Sequence, residues 1–295
     1  MKYRTDLAVE DVENLEEAGG RPGEKDGIIM EKEQIDEDIR VTTIDIVNMK
    51  GEAILGKPCG RYVTMEIDGI IDEKEGISDR AARALATQLS KLIKHHYHLK
   101  VLVVGLGNEK VTPDSLGPHT VSKVKITSHL FKLFNCEGDD EMSNVSGLAP
   151  GVTATTGMET AELIEKAVEM TQPDAVIAID SLAARNIDRV STTIQLSDTG
   201  IAPGAGMGNM RKKLNEETLG VKVIAIGVPT VIDSRTLILE AMEQLKIPEQ
   251  KAYSYMDSRE FDMVVTSTDI DLVIKSFSDI IAKAVNITLH PGIYS

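Results

Sequence analysis

The chain has no tryptophan, and aromatic residues make up only 3% of its 295 positions. Proteins that hold single-stranded nucleic acid stack its bases on aromatic side chains, and this sequence has few to offer. Basic residues are also scarce. Lysine and arginine number 32 against 47 acidic residues, a formal net charge of −15. A phosphate backbone requires a basic footprint, so direct binding to nucleic acid is not expected. There are only two cysteines, Cys59 and Cys136. That excludes a disulfide framework and points to a reducing, intracellular setting. It also leaves no zinc-type cysteine spacing. Cys136 lies in an acidic stretch, and Cys59, near Lys57 and Arg61, has no adjacent histidine, so both read as bystanders. No apolar run is long enough to span a bilayer, and the opening MKYRTDLAVEDVENLEE is too charged for a signal peptide. A cytoplasmic protein without membrane contact is expected. A G-x-S-x-G nucleophile elbow is also missing.

What is present is an alternation of strands and helices. The hydrophobic content of 42% suffices for a large α/β core. Residues 1–32 are polar around Gly19-Gly20-Arg21-Pro22-Gly23 and read as an exposed arm or loop. Residues 41–47 and 62–67 alternate as strands, with residues 51–57 as a turn-rich link. A helix over 78–96 has Ser78 as its cap and Ala82, Leu85, Leu89, Leu92 and Ile93 as its apolar stripe. Residues 99–104 form a strand buried on both faces. A helix is expected over 114–133, then a glycine-rich stretch over 145–157 and a helix over 158–170. Strands at 175–179, 192–196 and 221–227 follow, then a helix over 234–245, an irregular connection over 246–262 and a closing helix over 268–286. The alternation implies a mostly parallel twisted sheet with helices on both faces. Right-handed crossovers would align the strand ends at Gly105, Asp180 and Gly227 along one edge.

Sites in such sheets form at the carboxyl edge. The loop Gly105-Leu106-Gly107-Asn108 leads there into Pro113-Asp114-Ser115. Asp180 ends the second buried strand, where a carboxylate is costly unless it is bonded, paired or functional. Each aspartate also has a plainer reading as a helix cap, Asp180 for a short helix over Leu182–Arg185. As a pair they could divide labour. One, ionised, would activate water. The other, kept protonated by its neighbour, would give a proton to a leaving amine. Thr155, Gly157, Gly204, Gly206 and Gly208 are expected to collect at the same mouth. These glycines serve either as turns of positive φ or as backbone that lets a substrate approach. Neither GLGN nor GAGMGN meets the dinucleotide fingerprint in its required context, so no cofactor is expected. His95, His96 and His98 read as a solvated helix end, and no metal site is expected.

Several long motifs occur in order: GLGNEKVTPDSLGP, VSGLAPGVTATTGMET, AIDSLAARNIDR, QLSDTGIAPGAGMGN and AIGVPTVID. Together they resemble the spore germination protease family, whose members degrade the small acid-soluble proteins coating DNA in dormant bacterial spores. The resemblance runs from Arg4 through the last helix. More distantly, GLGN, Asp114 and the strand-ending Asp180 are similar to hydrogenase-maturation proteases, which share an α/β fold. The resemblance implies an atypical acid-type endopeptidase with Asp114 and Asp180 as its catalytic aspartates. The substrate-binding set is then Gly105, Gly107, Asn108, Thr155, Gly157, Arg185, Gly204 and Gly206, with the glycine-loop amides or Arg185 stabilising an oxyanion. It also implies a zymogen that loses its N-terminal propeptide, a homotetramer, and a place in the forespore or spore core. Family substrates are cut after an acidic residue, before an apolar residue and an alanine. Thr5-Asp6-Leu7-Ala8 matches, so the processing site is Asp6–Leu7, with residues 1–6 as propeptide and 7–295 as one protease domain. The rival readings are a metal-assisted endopeptidase using Asp114, Asp180 and His119, and a non-catalytic binder of spore proteins.

Overall fold

The structure, a computed structural model, describes residues 5–20, 22–204, 212–257 and 263–294. The chain opens with α1 (Ala8–Glu17), β1 (Ile28–Gln34), β2 (Ile39–Ile46), α2 (Met49–Leu55) and β3 (Gly60–Ile67). Next come α3 (Ile77–Leu92), β4 (Lys100–Gly105), α4 (Leu116–Val121), α5 (Ser128–Phe134) and β5 (Asn144–Leu148). They are followed by α6 (Thr153–Thr156), α7 (Thr160–Thr171), β6 (Ala175–Ala184), β7 (Thr193–Ser197), α8 (Glu216–Leu219) and β8 (Lys222–Asp233). The chain closes with α9 (Ser234–Gln244), α10 (Glu249–Asp257), β9 (Val264–Thr266) and α11 (Ile270–Leu289). Among the described residues no helix is long and apolar enough to cross a membrane.

The nine strands found among the described residues form one sheet in the order β1-β2-β3-β7-β8-β6-β4-β5, with β9 added beside the end of β8. The α/β class is as expected, but the sheet is mixed rather than mostly parallel. Strands β5, β4, β6 and β8 run parallel. Strands β7, β3, β2 and β1 continue the sheet with antiparallel pairing throughout. The short turn between β1 and β2 forces a hairpin, and a hairpin can only pair antiparallel.

Helices cover both faces. On one, α3 and α11 pack over Val101, Val103, Ile177, Ile179, Ile224 and Ile226. In α11 the buried Val273, Ile274, Phe277, Ile280, Ile281, Ala284 and Val285 recur at the three-and-four spacing of a helix stripe. The opposite face is covered in two separate patches. Helices α7 and α8 lie over Leu102, Val104, Val176 and Ala178. Helices α1 and α2 lie over Ile28, Ile44, Ile46 and Leu182. The gap between these patches holds the site.

Several expected elements differ. The N-terminal stretch is not an exposed arm: it contains α1, with Leu7 and Ala8 0% exposed, and β1. The expected helix over 114–133 is a 3-10 turn at Thr112–Asp114 followed by α4 and α5. Residues 144–148 form the edge strand β5, and α10 occupies part of the expected irregular connection. Gly76, at φ +72°, precedes α3 in place of a Ser78 cap. The short helix expected over Leu182–Arg185 is not formed, because β6 runs on as strand to Ala184.

Candidate active site

Strand β4 ends early. Its last residue, Gly105, pairs with Ile179, while β6 and β8 continue together from Asp180–Gly227 to Ala184–Ile232. Asp180 is therefore the first residue of β6 beyond its shorter neighbour. Strand alternation puts it on the face of Val176 and Ala178, between the two patches of helices. It is 5% exposed, and its Oδ1 accepts the N–H of Ser181 at 2.9 Å.

The chain leaving β4 turns back over this step. The Leu106 N–H donates to the carbonyl of Ile179 at 2.8 Å. A Cβ on Gly117 would stand 2.2 Å from the Leu106 oxygen and 2.6 Å from the Ile179 oxygen, so only glycine lets α4 close on the strand ends. Asp114 is half-buried in the 3-10 turn before α4. The Asn108 N–H donates to both its Oδ2 and its carbonyl, at 2.9 Å each. The β6–β8 register shifts between Leu182 and Ala183, bulging β8 at Thr230. The Thr230 hydroxyl donates to the carbonyl of Pro113 at 2.7 Å and ties the Asp114 turn to the sheet.

Asp114 and Asp180 line one cavity of about 290 Å³, together with Gly107, Gly204, Thr230 and Asp6. Two carboxylates in one hollow at a sheet's carboxyl edge suit general acid and base work on a bound water.

Asp6 reaches this cavity from the N-terminal segment. Its N–H donates to the Ala183 carbonyl at 2.9 Å, and its Oδ2 accepts the Ala183 N–H at 2.9 Å. Its own carbonyl accepts from Lys57 Nζ at 3.1 Å and Gln195 Nε2 at 3.0 Å. The Gln195 Oε1 accepts the Ala8 N–H at 2.8 Å. Beyond this point α1 is held by charge. The buried Glu10 accepts the backbone N–H groups of Arg185 at 2.7 Å and Asn186 at 2.9 Å. Arg189 makes two 2.6 Å bonds to Glu13. Arg185 donates to Glu17 at 2.7 Å and also bonds Asn14. Asp11 pairs with Lys57 at 3.2 Å. Burial outweighs that lysine and pushes the Asp11 carboxyl up to about 6.

The remaining expected site residues divide. Gly107 and Gly204 line the cavity. Gly105, Asn108, Thr155, Gly157 and Arg185 are not among its lining residues. Gly105 packs against the backbone of Gly117, Asn108 braces Asp114, and Thr155 hydroxyl-bonds Val152 within the α6 turn. Gly157 ends α6 at φ +71°, and Arg185 serves α1. Gly206 and Gly208 lie outside the described residues. His119, the third ligand of the metal-assisted reading, borders a different hollow with Asp271 and Lys275. Among the described residues no group of three metal-binding side chains is clustered. Sequence reasoning missed Lys57, Gln195 and Thr230. For Thr230 a signal existed: Pro229 inside an apolar strand marks a bulge. Lys57 and Gln195 have no local signal, because their partner is the distant segment at Asp6.

The fold thus defines an α/β protein with a carboxylate-bearing cavity at the carboxyl ends of its parallel strands, the usual position of an enzyme's site. A family model described as "Peptidase_A25: Germination protease" matches residues 5–247. The chain belongs to the germination protease family. It is 42% identical to a germination protease of Clostridium perfringens over 98% of this chain and 95% of that protein. It is 40% identical to one from Caldanaerobacter subterraneus over 99% of this chain and 96% of that protein. Against the germination protease of Bacillus subtilis it is 43% identical, over 82% of this chain and 66% of that protein.

Proposed function

We propose that this germination protease is an endopeptidase that starts the breakdown of small acid-soluble spore proteins and is made as a zymogen that cuts itself between Asp6 and Leu7. Residues 1–6 are then the propeptide and 7–295 the protease domain. Asp114 and Asp180 share the acid and base roles. The ionised carboxylate takes a proton from water, the water adds to the carbonyl carbon, and the protonated carboxyl gives its proton to the departing amine. Tightly coupled carboxylates titrate as a pair, so the roles are assigned to the pair. The observation that carries this reading is that Asp6, Asp114 and Asp180 border one cavity. Assembly as a homotetramer in the forespore belongs to the same reading, with the tetramer open to light scattering.

The test uses Asp114→Asn and Asp180→Asn. Each variant is expected to fold, to keep its full N-terminus and to leave a basic spore-type protein intact, while the unaltered chain matures to a new N-terminus at Leu7. Mass spectrometry and N-terminal sequencing read both outcomes. Normal processing by either variant refutes the pair, and a mature start elsewhere refutes the processing site.

A further inference from the structure

Strand register places two side chains on one line. Asp180 of β6 pairs with Gly227 of β8, and Gly227 pairs with Gln195 of β7. Paired residues share a face of the sheet. Asp180 and Gln195 therefore project from the same face, two strands apart, at about 10 Å along the row. The residue between them is glycine, so no Cβ rises from that position. An added one would meet the side chain of Leu182 at 2.5 Å, and Leu182 itself borders the cavity beside Asp6.

Asp6 belongs to two hollows. One is the cavity with Asp114 and Asp180. The other is a hollow of about 250 Å³ bordered by Lys57, Tyr62, Gln195 and Gly227. Its carboxylate bonds Ala183, on the aspartate side. Its carbonyl oxygen bonds Lys57 and Gln195, on the other. The Gln195 amide has only one orientation that works. The Ala8 N–H requires an acceptor and the Asp6 carbonyl a donor. One side chain thus grips the backbone on both sides of the Asp6–Leu7 bond.

We propose that Gln195 and Lys57 form the oxyanion cradle for the bond after residue 6, a role that rests on the processing reading above. When water adds to the Asp6 carbonyl carbon, its proton passes to one aspartate and the C=O electron pair moves onto the oxygen. That oxygen carries the charge, and the Gln195 Nε2–H and the Lys57 ammonium already lie within donor range of it. Collapse restores the carbonyl and breaks the C–N bond. The Leu7 nitrogen leaves as an amine with a proton from the second carboxyl group. The products are the Asp6 carboxylic acid and a free Leu7 amine. Arg185, the side chain expected in this role, is committed to α1.

The same contacts would serve a purely anchoring role, so the experiment separates anchoring from chemistry. In Gln195→Glu the acceptor for the Ala8 N–H remains and the donor to the Asp6 carbonyl is lost. Hydrogen exchange at Ala8 reads the docked fraction, and the rate of Asp6–Leu7 cleavage is divided by it. Cleavage is expected to fall about 10²-fold with Ala8 still protected. Lys57→Met is expected to slow cleavage at least tenfold on the same scale, and Lys57→Arg to restore most of the rate. If Gln195→Glu cuts within threefold of the unaltered chain per docked molecule while Asp180→Asn stops cutting, the cradle is wrong and the aspartate pair stands. If Asp180→Asn cuts normally, the aspartate pair falls. If the unaltered chain never cuts after Asp6, the processing site and the cradle fall together.

Discussion

Gly107 shows how tightly the turn around Asp114 is drawn. It sits at φ +108°, and a Cβ there would stand 2.0 Å from the Asp114 carbonyl oxygen. Backbone closes the turn from one side and the Thr230 hydroxyl holds it from the other. Thr230→Val keeps the side chain's shape and removes the bond to Pro113. The Pro113 carbonyl then loses that partner, at a cost of about 1–3 kcal/mol in stability. A carboxylate displaced by a fraction of an ångström should slow cleavage of a spore-type substrate about tenfold or more. Thermal unfolding and steady-state assays check the two effects separately. At this scale the two aspartates were legible, because each follows an apolar β-branched run that announces a strand's end. Thr230 had only Pro229 beside it as a marker and Gln195 had none, because each bonds a partner far away in sequence, Pro113 for the one and the Asp6–Ala8 backbone for the other.

Among the elements, α1 was the hardest to read. Leu7, Ala8, Val9 and Val12 are interleaved with Glu10, Asp11, Glu13 and Glu17, and so many acids look like a solvated surface. Their partners, Arg185, Arg189 and Lys57, are too remote in sequence to be paired by pattern. Strand β6 hid its length for a related reason: Leu182-Ala183-Ala184 suits a helix, but pairing with β8 overrides the propensity. Asp11 makes the docking of α1 depend on pH. Its carboxyl has its usual value of 3.8 when α1 is undocked and about 6 when docked. A raised carboxyl favours docking fully below about pH 4, and that contribution is lost as pH rises through 6. The whole swing is about 3 kcal/mol at 1.36 kcal/mol per pH unit. Hydrogen exchange of the α1 amides, corrected for intrinsic rates, should show the difference between the unaltered chain and Asp11→Asn changing across that window and level above it. A constant difference would remove Asp11 as the source.

The molecule as a whole is one sheet with two halves. Parallel strands β4, β6 and β8 bring the aspartates to one edge, and Asp6 docks across the seam between the halves, on Ala183 of β6 and Gln195 of β7. The alternation of strands and helices made the α/β class readable, and the parallel half carries it. The antiparallel half was mistaken because strand direction leaves no mark on a strand's own pattern. It depends on which strands meet, and β7 joins β3 from more than a hundred residues away.

Asp6 borders the cavity of its own molecule, bonded to Ala183, Lys57 and Gln195 of the same chain. A tethered segment is presented at a fixed effective concentration, whatever the number of molecules in solution. The self-cutting proposed above should then be a unimolecular event. A tenfold dilution should leave its half-time unchanged, whereas attack by one copy on another would lengthen the half-time in proportion. The same tether sets an order of events: a spore protein arriving from outside competes with a resident that never diffuses away, so turnover of external protein should begin with a lag that matches the half-time of self-cutting.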